Sequence, residues 1–294
     1  MKKHVNVLVT GSRGQLGSEL RDISSSWPGF NFLYVDVDEL DLTKRDAVTV
    51  YFETHPVDVV INCAAYTAVD LAEDQRELAY LVNAEAARTL AELCREKQIR
   101  MVHISTDYVF DGESNQPIDE TERPNPVSVY GDSKLKGEEY VTTILPDAYI
   151  IRTAWVYSVY GKNFVKTIAN LARQREELTV VADQIGTPTY AHDLAVAIMT
   201  LLEAVFSGKT DVPGIYHYTN EGVISWYDFA HFIIRYYGLS CKLKPIRTSE
   251  YKTKAARPKF SLLSKRKITD TFRIIPPHWH DSLQVCLDKL GNQS

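Results

Sequence analysis

The first half of the chain alternates short β-branched runs with longer amphipathic stretches, and that alternation admits few folds besides a parallel sheet covered by helices. Runs at 5–10, 31–35, 57–62, 100–105 and 149–153 read as strands. Helical patterns fall between them at about 15–25, 44–54, 75–97 and 126–145, the last entered through a proline-bearing loop. The expected fold class is therefore α/β, a doubly wound parallel sheet. Beyond about Trp155 the alternation loosens, and Pro188, Pro213, Pro245, Pro258, Pro276 and Pro277 punctuate shorter elements. This predicts a sheet domain over residues 1–155, rejoined by about 189–206, and a smaller α/β lobe over most of 156–294.

Composition removes several function classes. With 294 residues, 45% hydrophobic and 24% charged, the chain can bury a large core. A net charge of -5 and a pI near 5.9 argue against a nucleic-acid partner, which would need clustered basic residues. The longest basic cluster, Lys265-Arg266-Lys267, reads as a solvated helix end. Cys63, Cys94, Cys241 and Cys286 lie far apart with no CxxC spacing, so reduced thiols are expected rather than a disulfide framework or a zinc site. The start Met1-Lys2-Lys3-His4 is basic, but the apolar run before Gly11 is too short for a signal-peptide core. No stretch approaches the roughly 20 apolar residues of a membrane span. A cytoplasmic location without membrane contact is the expectation.

The first strand runs directly into Gly11-Ser12-Arg13-Gly14-Gln15-Leu16-Gly17 and then a helix. That order places backbone N–H groups and a helix N-terminus against a diphosphate, with Gly11, Gly14 and Gly17 where side chains would block its approach. The sheet domain is thus expected to be Rossmann-like and dinucleotide-binding, and the GxxGxxG spacing is similar to that of short-chain dehydrogenases. The second strand ends at Asp36, about 25 residues after Gly11, where a carboxylate would bond the adenosine ribose hydroxyls and repel a 2′-phosphate. No arginine follows closely, since Val37, Asp38 and Glu39 come next, so NADH is favoured over NADPH. Asp36 could equally solvate a loop, because Asp38 and Asp41 crowd the region. Asp41 and Leu42 are candidates to bracket the adenine. After the third strand the small residues of Asn62-Cys63-Ala64-Ala65-Tyr66-Thr67 allow a close pass by the cofactor, with Ala64, Ala65, Tyr66 and Thr67 as contacts. Cys63 reads as a small buried residue, with no base beside it.

The fourth strand leads into Ser105-Thr106-Asp107-Tyr108, and the next helix carries Tyr130 and Lys134 four residues apart. In a doubly wound sheet both segments reach one crevice. A free phenol titrates near 10, so Tyr130 needs Lys134 and the cofactor's charge to act as an acid on a carbonyl oxygen. Lys134 would also bind the nicotinamide ribose, and Thr106 would share the carbonyl hydrogen bond. A Tyr and Lys at this spacing alone would more often be a packed phenol beside a solvated ammonium; the glycine loop and the Ser-Thr-Asp segment in the required order point to catalysis.

Gly14-Gln15-Leu16-Gly17, Asn62-Cys63-Ala64-Ala65-Tyr66-Thr67-Ala68-Val69-Asp70, Ser105-Thr106-Asp107-Tyr108-Val109-Phe110-Asp111-Gly112 and Tyr130-Gly131-Asp132-Ser133-Lys134-Leu135-Lys136-Gly137-Glu138 together resemble the dTDP-4-dehydrorhamnose reductase family of extended short-chain dehydrogenases. Arg152-Thr153-Ala154-Trp155-Val156-Tyr157, Asn163-Phe164-Val165, Asp183-Gln184-Ile185-Gly186-Thr187-Pro188-Thr189 and Arg257-Pro258-Lys259-Phe260-Ser261-Leu262 extend the likeness over nearly the whole chain. The resemblance implies reduction of the C4 ketone of dTDP-4-dehydro-β-L-rhamnose by NADH or NADPH, the last step toward dTDP-L-rhamnose, in a monomer or homodimer. It implies a phosphate loop at Gly14, Gln15 and Leu16, an adenine contact at Asp41 and Leu42, and nicotinamide-side contacts at Ala65, Tyr66 and Thr67. Thr106, Asp107, Trp155 and Val69 fall on the sugar side, and Tyr130 with Lys134 is the catalytic pair.

Some family members are similar in joining subunits through carboxylates and magnesium. Glu19 is available here, but His192 stands where another carboxylate would be sought, so no metal is assigned and magnesium is left open. Arg257 could pair with the substrate diphosphate or with a surface carboxylate. Trp155 could stack on the sugar or sit in the core. His103, His192, His217 and His231 read as structural. Sugar-nucleotide dehydratases place a glutamate after the Thr-Asp pair where this chain has Tyr108, and epimerases usually lack that pair. A non-catalytic alternative is a cofactor-binding regulatory subunit similar to the β subunit of methionine adenosyltransferase; the short N-terminus, Gln15 and Trp155 favour the enzyme.

Overall fold

Strands covered by helices on both faces have to be apolar along their length, and the central strands here are. A computed structural model describes residues 4–291; the basic residues 1–3 and the last three lie outside it. The sheet half contains β1 (Val5–Thr10), α1 (Gln15–Ile23), β2 (Phe30–Val35), α2 (Arg45–Thr54), β3 (Val59–Asn62), α3 (Val69–Ala72), α4 (Arg76–Tyr80), α5 (Ala86–Lys97), β4 (Arg100–Thr106), α6 (Val129–Ile144) and β5 (Tyr149–Thr153). After it come β6 (Val156–Tyr157), α7 (Phe164–Gln174), β7 (Glu177–Val181), β8 (Ile185–Gly186), β9 (Thr189–Tyr190), α8 (Ala191–Phe206), β10 (Gly214–His217), β11 (Ile224–Ser225), α9 (Trp226–Tyr236), β12 (Lys242–Ile246), α10 (Arg266–Phe272) and α11 (Trp279–Gly291). Strands β3 and β5 are buried at every position.

The main sheet runs β10-β5-β4-β3-β1-β2, with every pairing parallel. Its order reverses between β1 and β3, and a crevice opens at the carboxyl ends of strands at such a switch point. Register brings Thr10 beside Val35 and Asn62, and Thr106 beside Thr153, so the loops bearing the motifs leave one edge. Helix α8 returns to this sheet: Leu194, Ile198, Leu201 and Leu202 share a core with Val7, Val9 and Leu20. Strand β10 follows it as the sixth strand. Sequence patterning does not reveal β10, because its four residues start at a glycine just after Pro213.

The remaining elements bury a second core in which Val165 and Ile168 of α7 meet Phe229 and Ile233 of α9 and Leu283 and Leu287 of α11. Two-stranded pairs, β12 with β7 and β11 with β8, brace it. The long helix expected over 75–97 divides into α4, a π-helical turn over Leu81–Glu85 and α5.

Helix α6 is tied to β5 by a buried ion pair. Arg152 donates from Nε and Nη2 to the Glu138 carboxylate at 2.6–3.1 Å, while its guanidinium lies over the Phe110 ring. The side chains are only 2% and 3% exposed. Removing one member strands the other charge in the core, which typically costs about 3–5 kcal/mol, whereas an apolar pair of similar size is often neutral. Urea unfolding of Glu138→Gln should show a loss of that order, and Glu138→Leu with Arg152→Met should recover most of it.

Candidate active site

Glycine chemistry builds the phosphate loop. Gly11 sits at φ +61, and a Cβ there would meet the Ala64 nitrogen at 2.7 Å. Glycine is therefore required both for the left-handed turn and for the approach of the β3 loop. Helix α1 begins after Gly14 with no side-chain cap, so its first-turn N–H groups face the crevice as an anion site. Gly17 works from behind: a Cβ would strike Ser12 Cα at 2.5 Å, so it sets helix-to-loop packing and does not line the cavity. Gln15 leaves the loop toward the second half, donating to the Val156 carbonyl at 3.3 Å and accepting from Asn163 at 2.9 Å.

The crevice is a cavity of about 990 Å³ lined along its length by Gly11, Gly14, Gln15 and Leu16, by Asp36, Asp41 and Leu42, by Ala64, Ala65, Tyr66 and Thr67, and by Val69, Thr106, Asp107, Tyr130, Lys134 and Trp155. These are nearly all of the residues proposed from the sequence. A smaller hollow of about 510 Å³ between the ends of α5 and α6 includes none of them.

At the β2 end Asp36 accepts from the N–H groups of Arg13 and Val37, each at 2.8 Å. The sequence argument sought a basic residue only downstream of Asp36. Folding brings one from the glycine loop instead, since Arg13 pairs with Asp38 and Glu39. Asp41 accepts from the Thr43 N–H and hydroxyl, which holds its carboxyl below the usual range.

At the chemical end, Lys134 is buried and donates from Nζ to the Ile104 carbonyl at 2.7 Å. Burial pulls its ammonium down to about 8, against the opposing charge of Glu138. Tyr130 packs edge-on to Tyr108 at 5.4 Å. Burial pushes its phenol above the ordinary tyrosine value, with Thr106 pulling the other way. In the protein alone burial thus dominates, the opposing pull comes from Thr106 and not from the lysine that was expected to acidify the phenol, and the phenol stays in its proton-bearing form. Burial also drives the Cys63 thiol up, which leaves it a poor nucleophile.

Asp107, at the end of β4, is fully enclosed. Burial lifts its carboxyl from 3.8 to about 6, although Ser261 and the Thr106 hydroxyl, the latter at 3.0 Å, favour the charged form. Oδ2 has no hydrogen-bond partner, and neither does the Ser105 hydroxyl. Trp155 occupies the left-handed region at φ +49, and one face of its indole is stacked on Trp226 at 3.7 Å. A non-glycine residue there carries strain, and such strain gathers at functional sites. Arg257 does not line the cavity: it donates to Asp70 at 2.8 Å and approaches the Tyr108 hydroxyl at 3.4 Å, leaving its buried Nε unpaired.

Sequence reasoning missed Asn83. On the π turn, its side chain accepts from the Tyr66 N–H at 2.8 Å and donates to the Tyr66 carbonyl and to Ser133. It thereby joins the loop after β3 to α6, and a π turn is a frequent mark of functional places. Glu19, considered for a metal, accepts from Ser158 at 2.5 Å and lies 3.3 Å from His192.

Known proteins resemble the chain over nearly its whole length. The family model described as the RmlD substrate binding domain matches residues 5–292. The chain is 40% identical to a dTDP-4-dehydrorhamnose reductase of Aggregatibacter actinomycetemcomitans over 95% of this chain and 97% of that one. It is 41% identical to a crystal structure of a Clostridium acetobutylicum dTDP-4-dehydrorhamnose reductase, with TM-score 0.91 over 98% of this chain and 100% of that chain. A Bacillus anthracis dTDP-4-dehydrorhamnose reductase solved in complex with NADP superposes with TM-score 0.92 at 37% identity, covering 97% and 99% of the two chains.

The raised Asp107 carboxyl has a thermodynamic signature. Its folded value exceeds the unfolded one, so the fold favours the protonated form, and stability is lost as pH rises through about 6. A two-unit shift corresponds to about 3 kcal/mol at most. Asp107→Asn should therefore stabilise the protein in urea at pH 8 by roughly 1–3 kcal/mol, with the gain vanishing below about pH 4.

Proposed function

Because the chain belongs to the dTDP-4-dehydrorhamnose reductase family, we propose that it reduces the C4 ketone of dTDP-4-dehydro-β-L-rhamnose to dTDP-L-rhamnose with a reduced nicotinamide dinucleotide. The observation that carries this is the meeting of Thr106, Tyr130 and Lys134 in one cavity with the glycine loop. The loop fits a dinucleotide on structural grounds: uncapped N–H groups face a cradle that a Cβ at Gly11 would close.

Gly11, Gly14, Gln15 and Leu16 hold the diphosphate, with Gly17 packing behind them. Asp36, Asp41 and Leu42 hold the adenosine, and Ala64, Ala65, Tyr66 and Thr67 flank the nicotinamide. The nicotinamide, when bound, supplies the hydride that C4 receives. Tyr130 delivers a proton to the C4 oxygen as negative charge grows there, and its burial keeps that proton in place until then. Thr106 shares the hydrogen bond to the same oxygen. Lys134, anchored to Ile104, has further N–H bonds to offer the ribose. Asp107, Val69 and Trp155 hold the sugar, and Arg257, which lies outside the cavity on Asp70, reaches the diphosphate only by leaving that carboxylate.

Tyr108 argues against dehydration. Burial and the Asp107 charge push its phenol up to about 12, so no base stands where a dehydratase needs one. Asp36, Asp38 and Glu39 at the ribose end favour NADH. A cytoplasmic monomer or homodimer is consistent with four free cysteines, and among the described residues no helix is long and apolar enough to cross a membrane.

Purified protein given NADH or NADPH should consume the TDP-linked 4-keto sugar and form the rhamnose nucleotide. The UDP and GDP analogues should react more slowly, as followed at the nicotinamide absorbance and by chromatography of the sugar nucleotides. Absence of oxidation with both cofactors would remove the reductase reading.

A further inference from the structure

The glycine loop and the end of β2 form a charged cluster that the reduction itself does not use. Arg13 donates from Nη1 to Asp38 Oδ2 at 2.5 Å and from Nη2 to Glu39 Oε1. Glu39 also accepts the Asp36 N–H at 3.0 Å through its second oxygen, and Asp36 accepts the Arg13 N–H. Two carboxylates thus face the guanidinium while a third, Asp36, takes the Arg13 backbone N–H, so the cluster carries an excess of two negative charges. Arg13 and Asp36 line the cavity at the strand end where doubly wound folds place the adenosine ribose.

A 2′-phosphate on that ribose would call for a guanidinium fork, since two parallel N–H bonds from Arg are the strongest phosphate grip a side chain offers. Arg13 has the right reach, but both of its terminal nitrogens are committed to carboxylates. The pairs are exposed, with the Arg13 side chain 55% accessible, so the commitment is reversible and not structural.

We propose that Asp38 and Glu39 act as a latch on Arg13 that sets dinucleotide choice: latched, the cluster repels a 2′-phosphate, and released, Arg13 becomes its ligand. The proposal rests on the reading of the cleft as a nicotinamide-dinucleotide site. It attributes the preference for NADH to the partners of Arg13 rather than to Asp36 alone. Discrimination of this kind works by repulsion of the wrong ligand as much as by attraction of the right one.

The test is calorimetric binding of NADH and NADPH to the full chain, independent of turnover. Wild type should bind NADH more tightly. Asp38→Asn with Glu39→Gln should raise the NADPH-to-NADH affinity ratio by about tenfold or more. Asp38→Asn alone, which leaves the Glu39 bond to the Asp36 N–H in place, should move it less in the same direction. Adding Arg13→Ala to the double variant should erase most of the gain. A ratio that does not move in the double variant, a gain that survives loss of Arg13, or wild-type preference for NADPH would overturn the latch. Binding of neither nucleotide to wild type would overturn the dinucleotide reading and the latch with it.

Discussion

The site depends on one buried hydrogen bond, from the Lys134 ammonium to the Ile104 carbonyl at 2.7 Å. A charged side chain enters a protein interior only where its protons find acceptors. Helix α6 therefore has to lie close against β4 for the bond to form. Two glycines make room: a Cβ at Gly131 would lie 2.1 Å from the Tyr108 carbonyl oxygen, and one at Gly137 would lie 2.3 Å from that of Asn83. Glu138, one helical turn beyond Lys134 and itself paired with Arg152, sets a carboxylate behind the ammonium and offsets part of its desolvation. With the helix seated in this way, Tyr130 stands one turn nearer the crevice with its phenol beside Thr106.

The fold leaves unpaired what a ligand would pair. Native interiors satisfy nearly all their buried polar atoms. Among the described residues eight buried side-chain atoms have no partner, and two of them, the Ser105 hydroxyl and Asp107 Oδ2, belong to residues that line the cleft. Trp155 adds backbone strain at the same place. These are local costs in stability, which is the pattern expected where function competes with folding.

Much of this was legible in the sequence, because strand periodicity and loop chemistry are local. The runs at 5–10 and 149–153 are strands with those bounds, and the glycine loop, the Thr106–Asp107 segment and the Tyr130–Lys134 helix share one cavity as their order implied. What escaped depends on contacts between distant segments. Asn83 lies within an ordinary helical pattern, and its place on a π turn and its bonds to Tyr66 and Ser133 depend on segments far away in the chain. Arg13 meets Asp38 and Glu39 across a turn of chain that spacing rules do not span. Arg257 reaches Asp70 through a loop whose course no periodicity records.

The central claim is that Tyr130 carries the proton to the C4 oxygen, and its most direct test is steady-state turnover of Tyr130→Phe measured beside its NADH dissociation constant. The phenylalanine keeps the ring in place and removes only the hydroxyl. The account predicts a kcat lower by about 10²–10⁴-fold with cofactor binding largely retained. Near-normal turnover would contradict it.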